Sequence, residues 1–183
     1  PNLKQHLDRF RSVITSDNWP YGLHRARSEV FFQGEKIMSL RKCAEPTFTF
    51  TDFPCYVSQT FNVIKTGRID PRYLTAVLNS SVVKFWLRYR GKMQGRLFQV
   101  DKEPLLGIPI LKASLDTQKV VAHYVRALIA TAAKPDGQSV SSSFDHLLNG
   151  LVYELYFPED LKTAGIRLFE ELDRLDFSRL YSS

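Results

Sequence analysis

Eight basic residues and a single acidic residue, Asp70, lie between Phe61 and Val100, which makes this stretch the strongest chemical pattern in the sequence. The basic residues are Lys65, Arg68, Arg72, Lys84, Arg88, Arg90, Lys92 and Arg96. Lysine binds phosphate, whereas arginine can form paired hydrogen bonds with guanine, and glutamine, such as Gln94, with adenine. The stretch therefore predicts a surface that binds a polyanion, with nucleic acid as the obvious class.

Two glycines, Gly91 and Gly95, enclose Lys92, Met93 and Gln94 in the middle of this stretch. Glycines let a backbone approach a ligand closely, so residues 91–95 predict a basic loop that faces phosphates. An alternative stays open, because Lys84, Arg88 and Lys92 are spaced four residues apart and can equally form a solvated helix face.

A second basic cluster lies in a segment rich in turn-forming residues and in the strand predicted to follow it. Its members are His24, Arg25, Arg27, Lys36, Arg41 and Lys42. Side chains on such loops are suited to contacts in a DNA groove. For Arg41 the alternative is an intramolecular ion pair with Glu35 or Glu45.

Other chemistries find little support in the residue spacing. The four histidines and two cysteines show no metal-ligand spacing, and neither a nucleophile motif nor a glycine-rich phosphate loop is present. Cys43 and Cys55 are expected to be free thiols in a reducing cytoplasm, although a disulfide between them is an alternative. We therefore expect no catalytic residues and no metal site in this chain.

Strand-forming residues cluster in three segments before residue 65. Residues 35–42, 47–53 and 55–64 are rich in β-branched and aromatic side chains, and the last two are expected to form a hairpin that turns near residues 52–54. Two further strands are predicted after the 91–95 loop, at residues 96–100 and 105–110.

Helices are predicted before and between these strands. Residues 3–14 have apolar side chains at helical spacing, Asp70 and Pro71 are typical of a helix start, and Ser80 is typical of a second cap. Phe85 and Trp86, in the helix after Ser80, are assigned to the core. The order of elements indicates an α+β fold with a mixed or antiparallel sheet.

From about Leu115 onward the pattern is helical, with breaks at residues 132–143 and at Pro158. Charge changes along the chain as well: residues 1–112 carry a net +9, residues 113–142 a net +1 and residues 143–183 a net −4. We therefore expect a basic domain at 1–112 and a helical segment at 113–183, which packs on that domain or on a neighbouring one.

The overall composition indicates which classes of protein fit this sequence. A hydrophobic content of 44% can fill a core, and no apolar run reaches the ~20 residues of a membrane span. A start at Pro1, without Met or a signal-peptide pattern, indicates a piece of a longer cytoplasmic protein.

Several motifs together resemble one known family. They are HRARSEVFFQGEKIMSLRKC at 24–43, YVSQTFNVI at 56–64, YLTAVLNSSVVKFWLRYRGKMQG at 73–95 and FQVDKEPLLGIPI at 98–110. In this order they resemble the TaqI-like C-terminal specificity domain, the target-recognition module of bacterial adenine-specific DNA methyltransferases and of fused restriction–modification enzymes. The resemblance runs from about Pro1 to Leu111.

The resemblance implies a domain that grips double-stranded DNA, beside a methyltransferase domain that uses S-adenosylmethionine to methylate a flipped adenine. In fused enzymes it also implies a nuclease that cuts with Mg²⁺. The Asn-Pro-Pro-Tyr motif and the cofactor loop of such methyltransferases are absent from this sequence. The resemblance therefore implies that this chain recognises DNA and that the neighbouring domain performs the catalysis.

The leading hypothesis is thus a non-catalytic, sequence-specific DNA-recognition module. Its expected DNA contacts are His24, Arg25, Arg27, Lys36, Arg41, Lys65, Arg68, Arg72, Arg90, Lys92, Gln94 and Arg96. Lys92 and Gln94 are expected to position the DNA, and loops 21–27 and 65–72 to select the sequence. The alternative is a protein–protein scaffold whose basic face docks a catalytic subunit.

Overall fold

Two three-stranded antiparallel sheets, a short hairpin and eight α-helices form the described part of the chain, which comprises residues 2–16, 19–20, 27–132 and 137–174 of the computed structural model. The strands are β1 (Thr15–Ser16), β2 (Trp19–Pro20), β3 (Lys36–Leu40), β4 (Lys42–Cys43), β5 (Phe48–Thr51), β6 (Phe61–Ile64), β7 (Lys92–Gln94) and β8 (Leu97–Gln99). The helices are α1 (Leu3–Asp8), α2 (Pro71–Asn79), α3 (Ser81–Arg90), α4 (Lys102–Leu106), α5 (Leu115–Ala132), α6 (Gly137–Tyr156), α7 (Pro158–Thr163) and α8 (Leu168–Asp173). A 3₁₀ helix spans Glu29–Phe32. The predicted α+β class is confirmed.

The first sheet, sheet A, has the strand order β5-β3-β6. Ile37 of β3 is fully buried and lies opposite Phe50 on one side and Ile64 on the other. The predicted hairpin between residues 47–53 and 55–64 is therefore wrong, because β5 and β6 pair with β3 and not with each other. The strand with the most buried side chains takes the centre, where both of its edges are hydrogen-bonded.

The second sheet, sheet B, has the order β4-β8-β7 and follows α3 directly. Residues 92–94, predicted to lie in a loop, form β7, and a tight turn at Gly95 leads into β8. Gly95 has a φ of 61°, in the left-handed region that glycine occupies at no steric cost.

The strand predicted at residues 105–110 is also wrong, because its first residues belong to helix α4. Pro104 lies in the first turn of α4, where its missing N–H would have had no partner within the helix. The periodicity of a short apolar run cannot distinguish a strand from a helix, and for this reason the strand prediction was wrong.

The helix starts predicted at Asp70 and Ser80 are confirmed. Asp70 Oδ1 accepts from the backbone N–H of Arg72 at 2.7 Å and of Tyr73 at 3.2 Å. Ser80 Oγ accepts from the N–H of Val83 at 3.3 Å, so α3 begins immediately after α2 ends. Helix α1 begins at Leu3 as predicted but ends at Asp8, and none of its residues is buried.

Helix α2 is the centre of the core. Its residues Tyr73–Leu78 are all buried, and they contact sheet A on one side and α5 on the other. The same core contains Phe98 of sheet B, Val121 of α5 and Val152 of α6. The C-terminal helices therefore pack against residues 27–112 through shared apolar contacts, whereas the domain boundary at residue 112 stays a prediction.

A buried phenol reinforces this junction. Tyr73 Oη donates to the carbonyl of Leu111 at 2.7 Å, just before α5. Burial raises the pKa of Tyr73 to about 12, so the phenol keeps the proton that this hydrogen bond uses.

Asn79 connects α2 to the edge of sheet A. Its side chain accepts from the backbone N–H of Phe48 at 2.9 Å and donates to the carbonyl of Phe48 at 2.7 Å, as a neighbouring strand would. The same amide nitrogen also donates to the carbonyl of Thr75 at 2.9 Å.

We expect Asn79→Ala to lower the free energy of unfolding by about 1–3 kcal/mol, because both backbone groups of Phe48 lose this partner. Urea denaturation followed by circular dichroism measures the change. Asn2→Ala is the matched control, since Asn2 caps the exposed helix α1 and should change stability less. Equal losses in the two variants would contradict the role of Asn79.

Candidate nucleic-acid interface

Side chains of sheet B alternate between the core and solvent. Phe98 is buried, and Cys43 and Met93, which lie beside it in register, pack against the core. The residues between them form the outer face of sheet B, namely Lys42, Lys92, Gln94, Leu97 and Gln99. Lys42, Gln99 and Lys92 form one row across the three strands, so the Gln99 amide has one cation on each side.

Four exposed cations lie along the end of α3 and the β7–β8 hairpin. These hairpin cations are Arg88, Arg90, Lys92 and Arg96. None of them forms an ion pair or a side-chain hydrogen bond with a residue in the part of the chain that the structure describes. Their charges are therefore available to an external anion.

The glycines beside Lys92 are explained by the chain geometry. A Cβ at Gly91 would lie 2.3 Å from the carbonyl oxygen of Leu87, so only glycine fits where α3 passes into β7. Gly95 needs its positive φ for the hairpin turn. The two glycines project Lys92, Gln94 and Arg96 outward, which is a structural role and does not require a backbone contact with phosphate.

Lys36 was predicted to contact DNA, but the structure places it inside the fold. Its side chain is in the core, with 1% of the residue exposed. Its ammonium donates to the carbonyls of Gly34 at 3.1 Å and of Phe53 at 2.6 Å. Lys36 therefore ties the segment before β3 to the segment after β5, and its ammonium is not on a surface that DNA can reach.

Lys65 and Arg72 are also bound within the chain. Lys65 Nζ donates to the carbonyls of Val30 at 2.8 Å and of Gln33 at 2.6 Å, which fixes the 3₁₀ helix against β6. Arg72 forms an ion pair with Glu35 at 2.8 Å, and its guanidinium lies 4.2 Å above the ring centre of Phe50. Both cations thus have partners before any ligand arrives.

Arg41 has a partner that the sequence did not indicate. Its guanidinium lies 2.9 Å from Asp101, which also accepts a hydrogen bond from Gln99 at 2.8 Å. Glu35 pairs with Arg72 and Glu45 with Lys84, so neither of the two alternatives considered for Arg41 is formed. Arg41 is half exposed, and it remains at the edge of the outer face of sheet B.

Two loops are expected to select the DNA sequence, at residues 21–27 and 65–72. The structure describes the second loop fully and only residue 27 of the first. His24 and Arg25 lie outside the described residues, and Arg27 is exposed. In the 65–72 loop Arg68 is exposed, and its side chain has no partner within the described ranges. It lines an open cleft between this loop and the start of α5.

Phe85 corrects another sequence assignment. Trp86 packs against the core and against Gly107, but Phe85 is 65% exposed and Tyr89, one turn later, is 68% exposed. Val83 and Leu87 form the buried side of α3, which turns Phe85 outward. The exposed position of Phe85 was missed because Val83, Phe85, Trp86 and Leu87 are all apolar, so the sequence does not show which of them faces the core.

Potential metal ligands and thiols are the other chemically relevant groups among the described residues. Within these ranges no three His, Cys, Asp or Glu side chains cluster closely enough to hold a metal ion. Both cysteines are free thiols, as expected, and burial, together with the charge of Glu45, raises the pKa of Cys43. Cys43 therefore remains a neutral thiol, unsuited to nucleophilic attack at neutral pH.

None of the helices in the described ranges is long and apolar enough to cross a lipid bilayer.

Comparison with known proteins gives one family. The model of the TaqI-like C-terminal specificity domain matches residues 8–110. The matched range contains both sheets, α2, α3 and all of the hairpin cations. No curated protein matches the chain.

We expect Lys36→Met to lower the free energy of unfolding by about 1–3 kcal/mol, because two charge-assisted hydrogen bonds are lost while the apolar stem is kept. Thermal and urea denaturation measure the effect. Lys92→Met is the matched control, since Lys92 is exposed and has no partner in the described ranges, and it should leave stability within ~0.5 kcal/mol. A Lys36→Met variant as stable as the wild type would refute the structural role.

Proposed function

The chain belongs to the family of TaqI-like C-terminal specificity domains, the DNA-recognition modules of restriction–modification enzymes, and from this premise we propose that it recognises a specific sequence in double-stranded DNA without being catalytic itself. The observation that carries the proposal is the set of four hairpin cations with no partner among the described residues.

The charges support duplex DNA as the ligand. A protein that neutralises phosphates releases condensed counterions, so unpaired cations contribute most of the affinity. Arg41, Lys65 and Arg72 are already bound to groups of the chain itself, which reduces their gain from a phosphate. We therefore assign the phosphate contacts to Arg88, Arg90, Lys92 and Arg96.

The shape of sheet B supports the same ligand. A two-stranded ribbon fits the major groove of B-form DNA, and the β7–β8 hairpin has only polar side chains and Leu97 on its outer face. Gln99 donates to Asp101, whereas the amide of Gln94 has no partner in the described part of the chain. In this proposal Lys92 and Gln94 position the hairpin on the DNA.

Sequence selection is assigned to the loops at residues 21–27 and 65–72. Within the second loop Lys65 and Arg72 hold the fold, so Arg68 is the residue we propose for a base contact. An arginine that forks onto the O6 and N7 atoms of guanine is the commonest specific contact in the major groove.

Catalysis is assigned to a neighbouring domain of a longer polypeptide in the bacterial cytoplasm. That domain would methylate adenine with S-adenosylmethionine and, in a fused enzyme, a nuclease would cut with Mg²⁺. The cleft beside Arg68 does not fit the cofactor, because it is open and is lined by charged side chains such as Glu35, Asp70 and Lys119. Cofactor sites usually enclose most of the surface of the bound molecule, which an open cleft does not do.

The alternative is a protein–protein scaffold that docks a catalytic subunit through its basic face, and the acidic charge of residues 143–183 is the feature that favours it. It predicts association between proteins and no preference for duplex DNA. Size-exclusion chromatography, with and without a DNA duplex, separates the two functions.

We expect Arg90→Ala and Lys92→Ala each to weaken binding to all duplexes alike, because a phosphate contact carries no sequence information. Each should reduce the slope of log K against log salt concentration by about 1, as measured by fluorescence anisotropy from 50 to 200 mM salt. Lys162→Ala, in the exposed α7 of the acidic segment, is the control and should keep the wild-type slope. Unchanged slopes in all three variants would show that the hairpin cations do not contact the DNA phosphates.

We expect Arg68→Ala to act differently and to relax the preference at one base pair by about 1–3 kcal/mol. Selection from a randomised duplex pool, with the full-length polypeptide and with its Arg68→Ala variant, gives the two motifs. Lys92→Ala is the control and should retain the wild-type motif at lower affinity. An unchanged motif for Arg68→Ala would show that Arg68 does not read a base.

A further inference from the structure

The outward face of α3 carries two aromatic rings that the fold does not use. Phe85 and Tyr89 are 65% and 68% exposed, with ring centroids 4.6 Å apart and planes at 45°. Val83 and Leu87 already supply the buried side of the helix. Two adjacent exposed aromatic rings, which the core does not bury, offer a flat apolar surface to a ligand.

The charges around the two rings select an anion. Arg88 comes three residues after Phe85 and is thus its neighbour on the helix surface. Arg90 ends α3 and Lys92 begins β7, so both lie just beyond Tyr89 along the chain. All three are exposed and have no partner in the described ranges. Lys84, one turn before Arg88 on the same side of α3, is already paired with Glu45.

A ligand that combines a flat ring with a negative charge fits this surface, and a nucleotide has both. Bases in a duplex present only their edges, because their faces are stacked on one another, whereas an unpaired base offers a face to an aromatic side chain. We propose that the Phe85–Tyr89 pair binds the ring face of an unpaired nucleotide in DNA whose duplex part is held by the hairpin cations. This proposal rests on the proposed DNA-binding function.

A second exposed aromatic pair lies beside acidic residues instead of basic ones. Tyr153 and Phe157 of the α6 end are 39% and 42% exposed, and their centroids are 5.9 Å apart. Their neighbours in sequence are Glu154 and Glu159, whose charges repel phosphate. This pair is the matched control for the first.

The rival occupant of the α3 face is an apolar partner protein. A small depression beside Phe85 is lined by Val82, Trp86, Ile108, Pro109 and Tyr156, with no charged side chain. Such a partner would bury the rings but leave Arg88, Arg90 and Lys92 without counter-charges, so the unpaired cations favour a nucleotide.

The test compares the wild-type chain, Phe85→Ala/Tyr89→Ala and Tyr153→Ala/Phe157→Ala on two DNAs. One is a blunt duplex, and the other is the same duplex with a short single-stranded tail that contains 2-aminopurine. We expect the tail to raise the affinity of the wild type about 5-fold or more, with quenching of 2-aminopurine fluorescence as the base stacks. The Phe85→Ala/Tyr89→Ala variant should lose both effects and bind the blunt duplex like the wild type.

The controls define the remaining outcomes. The Tyr153→Ala/Phe157→Ala variant, and a Phe85→Tyr/Tyr89→Phe variant that keeps both rings, should retain the gain and the quenching. If the wild type binds the blunt duplex without any gain from the tail, or if Phe85→Ala/Tyr89→Ala keeps the gain, this inference is wrong while the proposed function stands. If the blunt duplex is not bound, the proposed function itself fails. If Phe85→Ala/Tyr89→Ala alters the sedimentation of the protein without DNA and leaves both DNA effects unchanged, the α3 face binds protein and the inference is overturned.

Discussion

The burial of α2 between sheet A and α5 is the constraint on which the other elements depend. Six consecutive residues of α2, Tyr73–Leu78, are buried, so this helix has no solvent-exposed face through its centre. A helix buried all round must be enclosed by other elements, here two sheets and the C-terminal helices. Because Ser80 caps α3 immediately after α2 ends, the direction of α3 and of the hairpin that follows is fixed by the same core.

Two groups of cations near the sheets have different roles. Lys36, Lys65 and Arg72 are hydrogen-bonded or paired within the chain and close the loops around sheet A. The hairpin cations have no such partners in the described ranges and repel one another. Like charges placed close together cost free energy unless a ligand neutralises them, so the second group is better explained by binding than by stability.

Local signals in the sequence predicted local structure correctly. The caps at Asp70 and Ser80 depend on hydrogen bonds that span three residues or fewer, and both are present. Strand pairing depends on contacts far along the chain, so the central position of β3 could not be read from residues 47–64. The same limit applies to lysines. Lys36 and Lys92 both lie in basic segments that form strands, and only the face of the strand on which each side chain lies decides that one is buried and the other exposed.

The motif around Gly91 and Gly95 shows how a shared sequence pattern can serve recognition without making the specific contacts. The carbonyl of Leu87 excludes a side chain at Gly91, and the turn requires a positive φ at Gly95, so both glycines are demanded by the backbone. Their effect is to fold β7 onto β8 in a register that turns Met93 inward and Lys92 and Gln94 outward. In the proposed function, such a hairpin would present cations to the DNA backbone in the same way whatever the base sequence. On that proposal the choice of sequence comes from side chains outside the motif. Arg68, whose guanidinium has no partner among the described residues, is then a better candidate for a base contact than any residue of the hairpin.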